Sequence, residues 1–262
     1  MLRLENITKY YKLNRPVNNS QRELKAVDNV CLELKKGKTL GLVGESGCGK
    51  STLAKIILKL IKPSSGKIYF KGQEISGLKE SCFRPMRRKI QIVFQDPYGS
   101  LSPRLKVSRI IAEPMAAFKE DKKKINANII RLLNDVGLGE DIKDRLPHQL
   151  SGGQRQRVGI ARALATDPEL LILDEAVSSL DLSTQAQVLN LLVKLQKEKD
   201  LTYLFIAHNL DVVRYISDEV AVMYKGAIVE KSGVEKIYNE PRHSYTKVLL
   251  DSRPGLEKKE AA

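Results

Sequence analysis

Aromatic residues are scarce in this sequence, and tryptophan is absent. Phenylalanine and tyrosine make up only 5% of the 262 residues. Proteins that bind single-stranded nucleic acid stack the bases on aromatic side chains, so this composition disfavours such a surface. The formal net charge of +14 fits either a nucleic-acid partner or a solvated basic surface that binds a phosphate ligand. Because the basic residues are scattered along the chain, we expect the second and predict no nucleic-acid partner.

Cysteines and long apolar runs are also scarce. The three cysteines, Cys31, Cys48 and Cys82, are too far apart for a CxxC metal or redox motif, which predicts a reducing compartment and no structural disulfide. No run of 18 apolar residues occurs, and stretches such as Leu170–Leu173 and Val220–Tyr224 have the length of a strand. The sequence therefore predicts no membrane-spanning helix.

Apolar strands alternate with helical patterns over much of the chain, and this alternation predicts a parallel α/β sheet. Further short strands are predicted within residues 1–43, a polar loop over residues 14–22 and a frayed tail over residues 257–262. Between about residues 97 and 160 the apolar residues recur with helical spacing, which predicts a helical insert. The predicted strands of the sheet are Thr39–Val43, Leu170–Asp174, Tyr203–Ala207 and Glu219–Tyr224.

A glycine-rich loop follows the first of these strands. Residues Gly44–Ser51 match the phosphate-binding pattern G-x-x-x-x-G-K-S/T. In such a loop the glycines let consecutive N–H groups point at phosphate oxygens, and the next helix adds its positive N-terminal end. Lys50 would reach the β- and γ-phosphates, and Ser51 would offer a hydroxyl to Mg²⁺. The alternative is a plain glycine-rich turn, but a strand before the loop and an amphipathic helix after it favour phosphate binding.

Two acids, Asp174 and Glu175, follow the apolar strand that begins at Leu170. Open α/β sheets bind their ligands at the carboxyl ends of the strands, where these carboxylates are expected to lie. Asp174 is predicted to hold Mg²⁺ through its water shell, and Glu175 to polarise an attacking water. An Asp-Glu pair also ends many strands that have no function, so this prediction depends on the glycine loop upstream.

A third motif, Leu150-Ser-Gly-Gly-Gln154, lies between the glycine loop and the acidic pair. Alone it would be a helix N-terminus capped by Ser151. In this order and spacing it resembles the signature motif of the ATP-binding cassette (ABC) ATPases. The resemblance covers nearly the whole chain, because Gln95, Ser179–Asp181 and His208 resemble the family's Q-loop, D-loop and switch histidine.

The resemblance implies a P-loop NTPase fold of the ABC type, in the α/β class, with an N-terminal antiparallel β subdomain and a helical insert. It implies an ABC ATPase domain over residues 1–240, with the insert at about 97–160, and a short C-terminal extension over residues 241–262. It also implies ATP hydrolysis with Mg²⁺ at a site shared between two cassettes.

The implied site residues fall into four groups. ATP would be bound by Tyr11 (with Tyr10 as the less favoured neighbour), Gly44, Glu45, Ser46, Gly47, Cys48, Gly49, Lys50, Ser51 and Thr52. The partner cassette's nucleotide would be contacted by Ser151, Gly152, Gly153 and Gln154. Mg²⁺ would be held by Ser51, Gln95 and Asp174, and catalysis would involve Glu175, His208 and Gln95.

A narrower resemblance, in Phe94–Pro103, Gln185–Leu192 and Pro241–Leu250, is to the dipeptide, oligopeptide and nickel importers, and to their second, F-type cassette. It implies a D-type cassette as partner, two transmembrane permeases, an extracytoplasmic solute-binding protein and a peripheral location on the cytoplasmic face of the membrane. Short peptides are the expected solute. Glu175-Ala-Val177 resembles the nickel members, so nickel or a nickel chelate is the alternative.

Two other classes of protein fit the sequence less well. Non-transport ABC ATPases that act on DNA or ribosomes usually carry long coiled coils or two cassettes in one chain, and neither is visible here. A P-loop kinase or GTPase would leave the Leu150–Gln154 motif unexplained, and no N-K-x-D segment that reads guanine occurs. An importer ATPase is therefore the prediction.

Overall fold

The structure is a computed structural model that describes residues 1–12 and 23–252, without the side chains of residues 97 and 98. The predicted loop at 14–22 and the predicted frayed tail at 257–262 lie outside these residues. The strands are β1 (Leu2–Lys12), β2 (Glu23–Leu34), β3 (Thr39–Val43), β4 (Ser65–Phe70), β5 (Gln73–Glu74), β6 (Ile90–Val93), β7 (Leu170–Asp174), β8 (Thr202–Ile206), β9 (Glu219–Tyr224) and β10 (Ala227–Gly233).

Helices occupy most of the remaining described residues. The α-helices are α1 (Lys50–Ile57), α2 (Glu80–Lys89), α3 (Pro97–Ser100), α4 (Val107–Ala117), α5 (Lys122–Asp135), α6 (Gly152–Leu164), α7 (Leu182–Lys199), α8 (Leu210–Ile216), α9 (Val234–Asn239) and α10 (Ser244–Asp251). Two 3₁₀ turns, Glu140–Asp144 and Pro147–Gln149, lead into α6. No helix within the described ranges is long and apolar enough to cross a membrane.

The N-terminal sheet is antiparallel, with the strand order β2-β1-β4-β5. The prediction of short strands at the N-terminus was wrong for β1 and β2, which have 11 and 12 residues. Register shifts between Leu4 and Ile7, and again between Ile7 and Lys9, interrupt the pairing of these strands. Such irregularities break the strict alternation of apolar and polar residues, which made each long strand resemble two short ones.

The second sheet has the order β10-β9-β3-β8-β7-β6, and all its strands except β10 run parallel. The predicted strands at Thr39, Leu170 and Glu219 have the predicted bounds, and β8 lies one residue earlier than predicted. The antiparallel N-terminal sheet, the parallel sheet and the helices between β6 and β7 confirm the expected ABC ATPase fold class.

Both faces of the parallel sheet are buried, so its strands are apolar on both sides. On β7, Leu170 and Ile172 face a core shared with α1 and the N-terminal sheet. The alternate residues Leu171 and Leu173 face a second core, which includes buried side chains from the helices between β6 and β7. The sheet is therefore fixed from both sides, and its carboxyl edge is a rigid platform for the loops that follow the strands.

Candidate active site

Four neighbouring parallel strands end at one edge of the second sheet. The glycine loop follows β3, His208 lies just after β8, Asp174 ends β7, and Gln95 lies just after β6. A groove of about 700 Å³ opens along this edge. It is lined by Tyr11, Glu23, Leu24, Lys25, Ala26, Ser46, Gly47, Cys48, Gly49, Lys50, Ser51, Thr52, Gln95, Glu175, Lys225 and Gly226.

The glycine loop requires glycine at both ends. Gly44 has φ 153°, and a Cβ at this position would lie 2.1 Å from the carbonyl oxygen of Met223. Gly49 has φ 113°, and its Cβ would lie 2.2 Å from the carbonyl oxygen of Ala26. Any side chain at either position would collide with backbone, which cannot move cheaply. The loop therefore packs directly on β9 and β2, and its backbone is held next to the groove.

The ammonium of Lys50 is held inside this loop. Its Nζ donates to the carbonyl oxygens of Gly44, at 2.7 Å, and Glu45, at 2.8 Å. Lys50 is only 5% exposed, so these bonds satisfy a charge that is largely shielded from water. The residue is at the N-terminus of α1, where backbone N–H groups also favour an anion. The loop thus presents a positive charge and free helix-start donors to the groove.

Ser51 lines the groove and contacts Asp174, which is not among the lining residues. The Ser51 hydroxyl donates to Asp174 Oδ1 at 3.2 Å. Burial raises the pKa of Asp174 above its usual range, and the hydrogen bond from Ser51 partly opposes this. A cation beside the carboxylate would relieve the cost of burying its charge. Hydroxyl and carboxylate oxygens are the ligands that Mg²⁺ prefers, so these two residues fit a magnesium site.

No group of three or more His, Cys, Asp or Glu side chains in the described part of the chain could hold a metal by itself.

Glu175 and His208 form the second polar pair. The Oε2 atom of Glu175 lies 3.5 Å from Nδ1 of His208, and the Glu175 side chain is 18% exposed. Glu175 has a left-handed backbone with φ 48°, which is uncommon for a residue with a side chain. Its N–H donates to the carbonyl of Ile206, and its own carbonyl accepts from the Ser178 hydroxyl. These bonds fix the strained backbone and direct the carboxylate into the groove.

The structure also places the predicted Tyr11 and Gln95 in the wall of the groove. Tyr10, the less favoured alternative, is not among the lining residues; the Lys25 ammonium lies over its ring. Sequence reasoning missed Lys225 and Gly226, which form the turn between β9 and β10 and also line the groove. The Lys-Gly pair directly after an apolar strand could have indicated this turn. Both residues have the positive φ typical of a tight hairpin turn.

The signature segment lies elsewhere. Ser151 and Gln154 form a capping box at the start of α6, in which each side chain accepts from the other residue's N–H. A Cβ on Gly153 would lie 2.3 Å from Cγ2 of Thr184, at the first turn of α7. None of residues 151–154 is among those that line the groove. The segment therefore does not complete the phosphate site of its own chain.

Comparisons with known proteins agree with this geometry. The sequence profile of the ABC transporter family matches residues 27–178, more than half of the chain. The chain is 49% identical over 266 residues to the oligopeptide transport ATP-binding protein AppF of Bacillus subtilis (strain 168), covering 99% of this chain and 80% of that protein. It is 46% identical over 257 residues to the dipeptide transport ATP-binding protein DppF of Escherichia coli (strain K12), covering 98% of this chain and 77% of that protein.

Solved structures give the same result. A dimeric ATP-binding cassette, MJ0796, in a post-hydrolysis state bound to ADP and Pi, matches with a TM-score of 0.78 and 31% identity, covering 89% of this chain and 99% of that one. The cbiO1 protein of Clostridium perfringens, part of the ABC transporter complex cbiONQ, matches with a TM-score of 0.79 and 30% identity, covering 91% of this chain and 90% of that one. The chain belongs to the ABC transporter family, as one of its ATP-binding subunits.

Proposed function

We propose that this chain is the ATP-hydrolysing subunit of an importer for short peptides. The observation that carries the ATPase activity is the meeting of Lys50, Ser51, Asp174, Glu175 and His208 at the carboxyl edge of one sheet. The similarity to oligopeptide and dipeptide transport proteins over nearly the whole chain supports the solute class.

ATP is the substrate that fits the groove. Tyr11 would stack on the adenine ring, since it lies in the groove wall and 37% of its surface is exposed. Lys50 would leave the carbonyls of Gly44 and Glu45 and pair with the β- and γ-phosphates. The N–H groups of the loop and of the first turn of α1 would donate to the same phosphates, which accounts for the predicted contacts of the other loop residues.

Ser51 and Asp174 would hold Mg²⁺, with Gln95 reaching the ion from the opposite wall of the groove. A Mg²⁺ ion held by these residues would supply positive charge that offsets the negative charge developing on the phosphates during cleavage. Asp174 suits this role, because burial disfavours the charge of its carboxylate and a cation beside it would offset that effect.

Glu175 would act as the general base. Its carboxylate would accept a proton from a water molecule as that water attacks the γ-phosphorus, while the bond between the γ-phosphorus and the β–γ bridging oxygen breaks. ADP and inorganic phosphate leave. His208, 3.5 Å from Glu175, would contact the γ-phosphate and hold the water in line.

The site would be completed by a second cassette. Ser151 and the N–H groups that begin α6 would face the γ-phosphate bound in the partner's groove, as a helix N-terminus faces an anion. The absence of residues 151–154 from the groove of their own chain supports this arrangement. A D-type subunit is the partner we propose, and ATP binding would draw the two cassettes together.

A shallow apolar groove beside Gln95 supports a permease contact. Leu60 and Phe94 both line this groove, where they are 53% and 38% exposed and would be covered by a bound segment. The groove is lined by Leu58, Leu60, Phe83, Arg87, Ile90, Gln91, Ile92 and Phe94. A short cytoplasmic segment of one permease would bind here, and the partner cassette would bind the other permease. This would put the subunit at the cytoplasmic face of the membrane, beneath two permeases that receive the solute from a solute-binding protein.

Deletion of the gene tests the solute. We expect a strain that lacks it to lose uptake of labelled di- and oligopeptides and to accumulate nickel normally. Complementation with the unaltered gene should restore uptake, whereas complementation with a Glu175→Gln gene should not. Normal peptide uptake with lost nickel uptake would overturn the peptide assignment and leave the ATPase assignment in place.

A further inference from the structure

The last described helix of the chain is attached to the phosphate loop. Tyr245, at the start of α10, accepts a hydrogen bond from the backbone N–H of Glu45 at 3.1 Å. Its side chain is 9% exposed, and its ring packs against the ring of Tyr224, with centroids 4.1 Å apart. The two hydrogen-bonded residues are 200 positions apart in the sequence.

Helix α10 is held firmly enough to act as an anchor. The Glu230 carboxylate on β10 accepts from the N–H groups of Arg242 and His243, at 2.9 and 3.0 Å. Nδ1 of His243 then caps the helix by accepting from the N–H of Tyr245, at 3.1 Å. Farther along α10, Thr246 and Leu250 are buried. The phenol oxygen is therefore fixed by the hairpin β9–β10 and the helix together.

The N–H of Glu45 that donates to Tyr245 is part of the peptide group that joins Gly44 to Glu45. The carbonyl of Gly44 and the N–H of Glu45 are the two ends of one trans peptide group and point in opposite directions. Lys50 Nζ donates to that carbonyl, and Tyr245 accepts from that N–H. One peptide at the start of the loop is thus held from both sides. When Lys50 turns to phosphate, Tyr245 is the contact that remains on this peptide.

We propose that Tyr245 is a positioning residue of the phosphate loop, and that the C-terminal segment sets the affinity of the subunit for ATP through it. With the phenol in place, the first peptide of the loop keeps its orientation after Lys50 has left the Gly44 carbonyl. Without it, the loop would have to be reordered each time a nucleotide binds, and that cost would weaken binding. The inference rests on residues 44–51 being the ATP phosphate loop.

Tyr245→Phe tests the inference in the full-length chain, because it removes the hydroxyl and keeps the ring on Tyr224. We expect a fluorescent ATP analogue with Mg²⁺ to bind about three- to tenfold more weakly, the effect of one hydrogen bond. Turnover at saturating ATP should stay near that of the unaltered chain. Hydrogen exchange at the Glu45 amide should become faster, both with and without nucleotide.

Tyr203→Phe is the matched control. It also removes one buried phenol, which donates to the Leu192 carbonyl at 3.0 Å, outside the groove. We expect it to leave nucleotide affinity and Glu45 exchange unchanged. Equal losses of affinity in both variants would show a general loss of stability and overturn the proposal. Unchanged affinity in Tyr245→Phe would also overturn it, as would a fall in maximal turnover without a change in affinity.

Lys50→Ala separates this inference from the proposed function. If Lys50→Ala weakens binding of the analogue and Tyr245→Phe does not, the ATP site stands and the role of Tyr245 falls. If neither variant weakens binding, the loop is not the nucleotide site, and both proposals fail.

Discussion

At the scale of single residues, the surroundings of two aspartates shift their pKa values in opposite directions. Asp174 is buried, and its pKa is raised, whereas Asp181 caps α7 and has its pKa lowered, chiefly by the backbone N–H of Thr184. Glu175 has a left-handed backbone that costs free energy and is held by neighbouring bonds. Substitutions at Asp174 and Glu175 can therefore separate effects on stability from effects on activity.

Glu175→Gln should abolish most hydrolysis and leave nucleotide binding intact. The amide has nearly the same shape but cannot take the proton of the attacking water, so the rate should fall about 10²–10⁴-fold. Phosphate release at saturating ATP, together with titration of a fluorescent ATP analogue, measures the two effects. Glu235→Gln, which alters a surface pair with Arg214, should change neither. Near-normal turnover in Glu175→Gln would remove Glu175 from the role of base.

Asp174→Asn should stabilise the protein without nucleotide while it weakens Mg²⁺-dependent turnover. Because burial raises the pKa of Asp174, the folded protein releases this proton at a higher pH than the unfolded chain does. Stability is therefore lost as the pH rises through the folded pKa, and an uncharged amide avoids that loss. Melting temperatures should be higher for the variant at pH 7 and should converge with those of the unaltered chain at acidic pH.

Asp181→Asn is the control, because it should change the melting temperature at pH 7 in the opposite direction. The lowered pKa of Asp181 means that its ionised form favours folding, and this contribution is present at neutral pH and lost as the pH falls. The amide should therefore lower the melting temperature slightly at pH 7. A fall in melting temperature for Asp174→Asn at pH 7 would contradict the account of Asp174.

At the scale of elements, the sequence was informative where an apolar run has clear ends. Strands β3, β7 and β9 have their predicted bounds because each is closed by glycine, by an acidic pair or by a Lys-Gly turn. Helix α2 was not predicted because Phe83 is its only buried residue, so no apolar spacing marks it. The contact between Tyr245 and Glu45 could not be predicted either, because the residues are 200 positions apart and neither segment has a sequence pattern that indicates its partner.

The packing of α6 on α7 gives a prediction for the signature segment. Gly153→Ala would place a methyl group 2.3 Å from Cγ2 of Thr184, and the forced shift should cost about 1–3 kcal/mol of stability. Urea unfolding measures the loss. Adding Thr184→Ser removes the colliding methyl and should restore most of the stability. Gly152→Ala is the control, because its Cβ would lie 3.7 Å from Leu180, an ordinary contact.

If Gly153→Ala and Gly152→Ala unfold at the same urea concentration, the close packing of Gly153 on Thr184 does not limit stability. In that case the glycine would be explained by access to the partner's nucleotide alone.

At the scale of the whole molecule, the two parts of the proposed shared ATP site lie apart on one chain. The groove carries Lys50 and Glu175, and the N-terminus of α6 carries Ser151, which does not line that groove. The motifs predicted each half from the sequence, because each is local. How the halves combine depends on a second chain, which no pattern within this one describes.

The isolated subunit should therefore be a slow ATPase, and its specific activity should rise with protein concentration only where two copies of the chain associate in place of the proposed D-type partner. Two chains must meet before Ser151 of one can face a nucleotide in the other. Phosphate release measured over a hundredfold range of concentration tests this, with sedimentation to report the association state. Fast turnover that does not change with concentration, in a chain that sediments as a monomer, would contradict a shared site.

The position of the Lys50 ammonium has a consequence for selectivity among anions. Two backbone carbonyls already accept hydrogen bonds from this ammonium. Any anion must therefore replace these bonds before it can pair fully with the positive charge. Inorganic phosphate and sulfate would form few contacts to replace them, whereas a nucleotide would add the proposed stacking of its base on Tyr11 and more phosphate oxygens for the loop. The groove should consequently bind the small anions that are abundant in cells only weakly, and remain open to ATP.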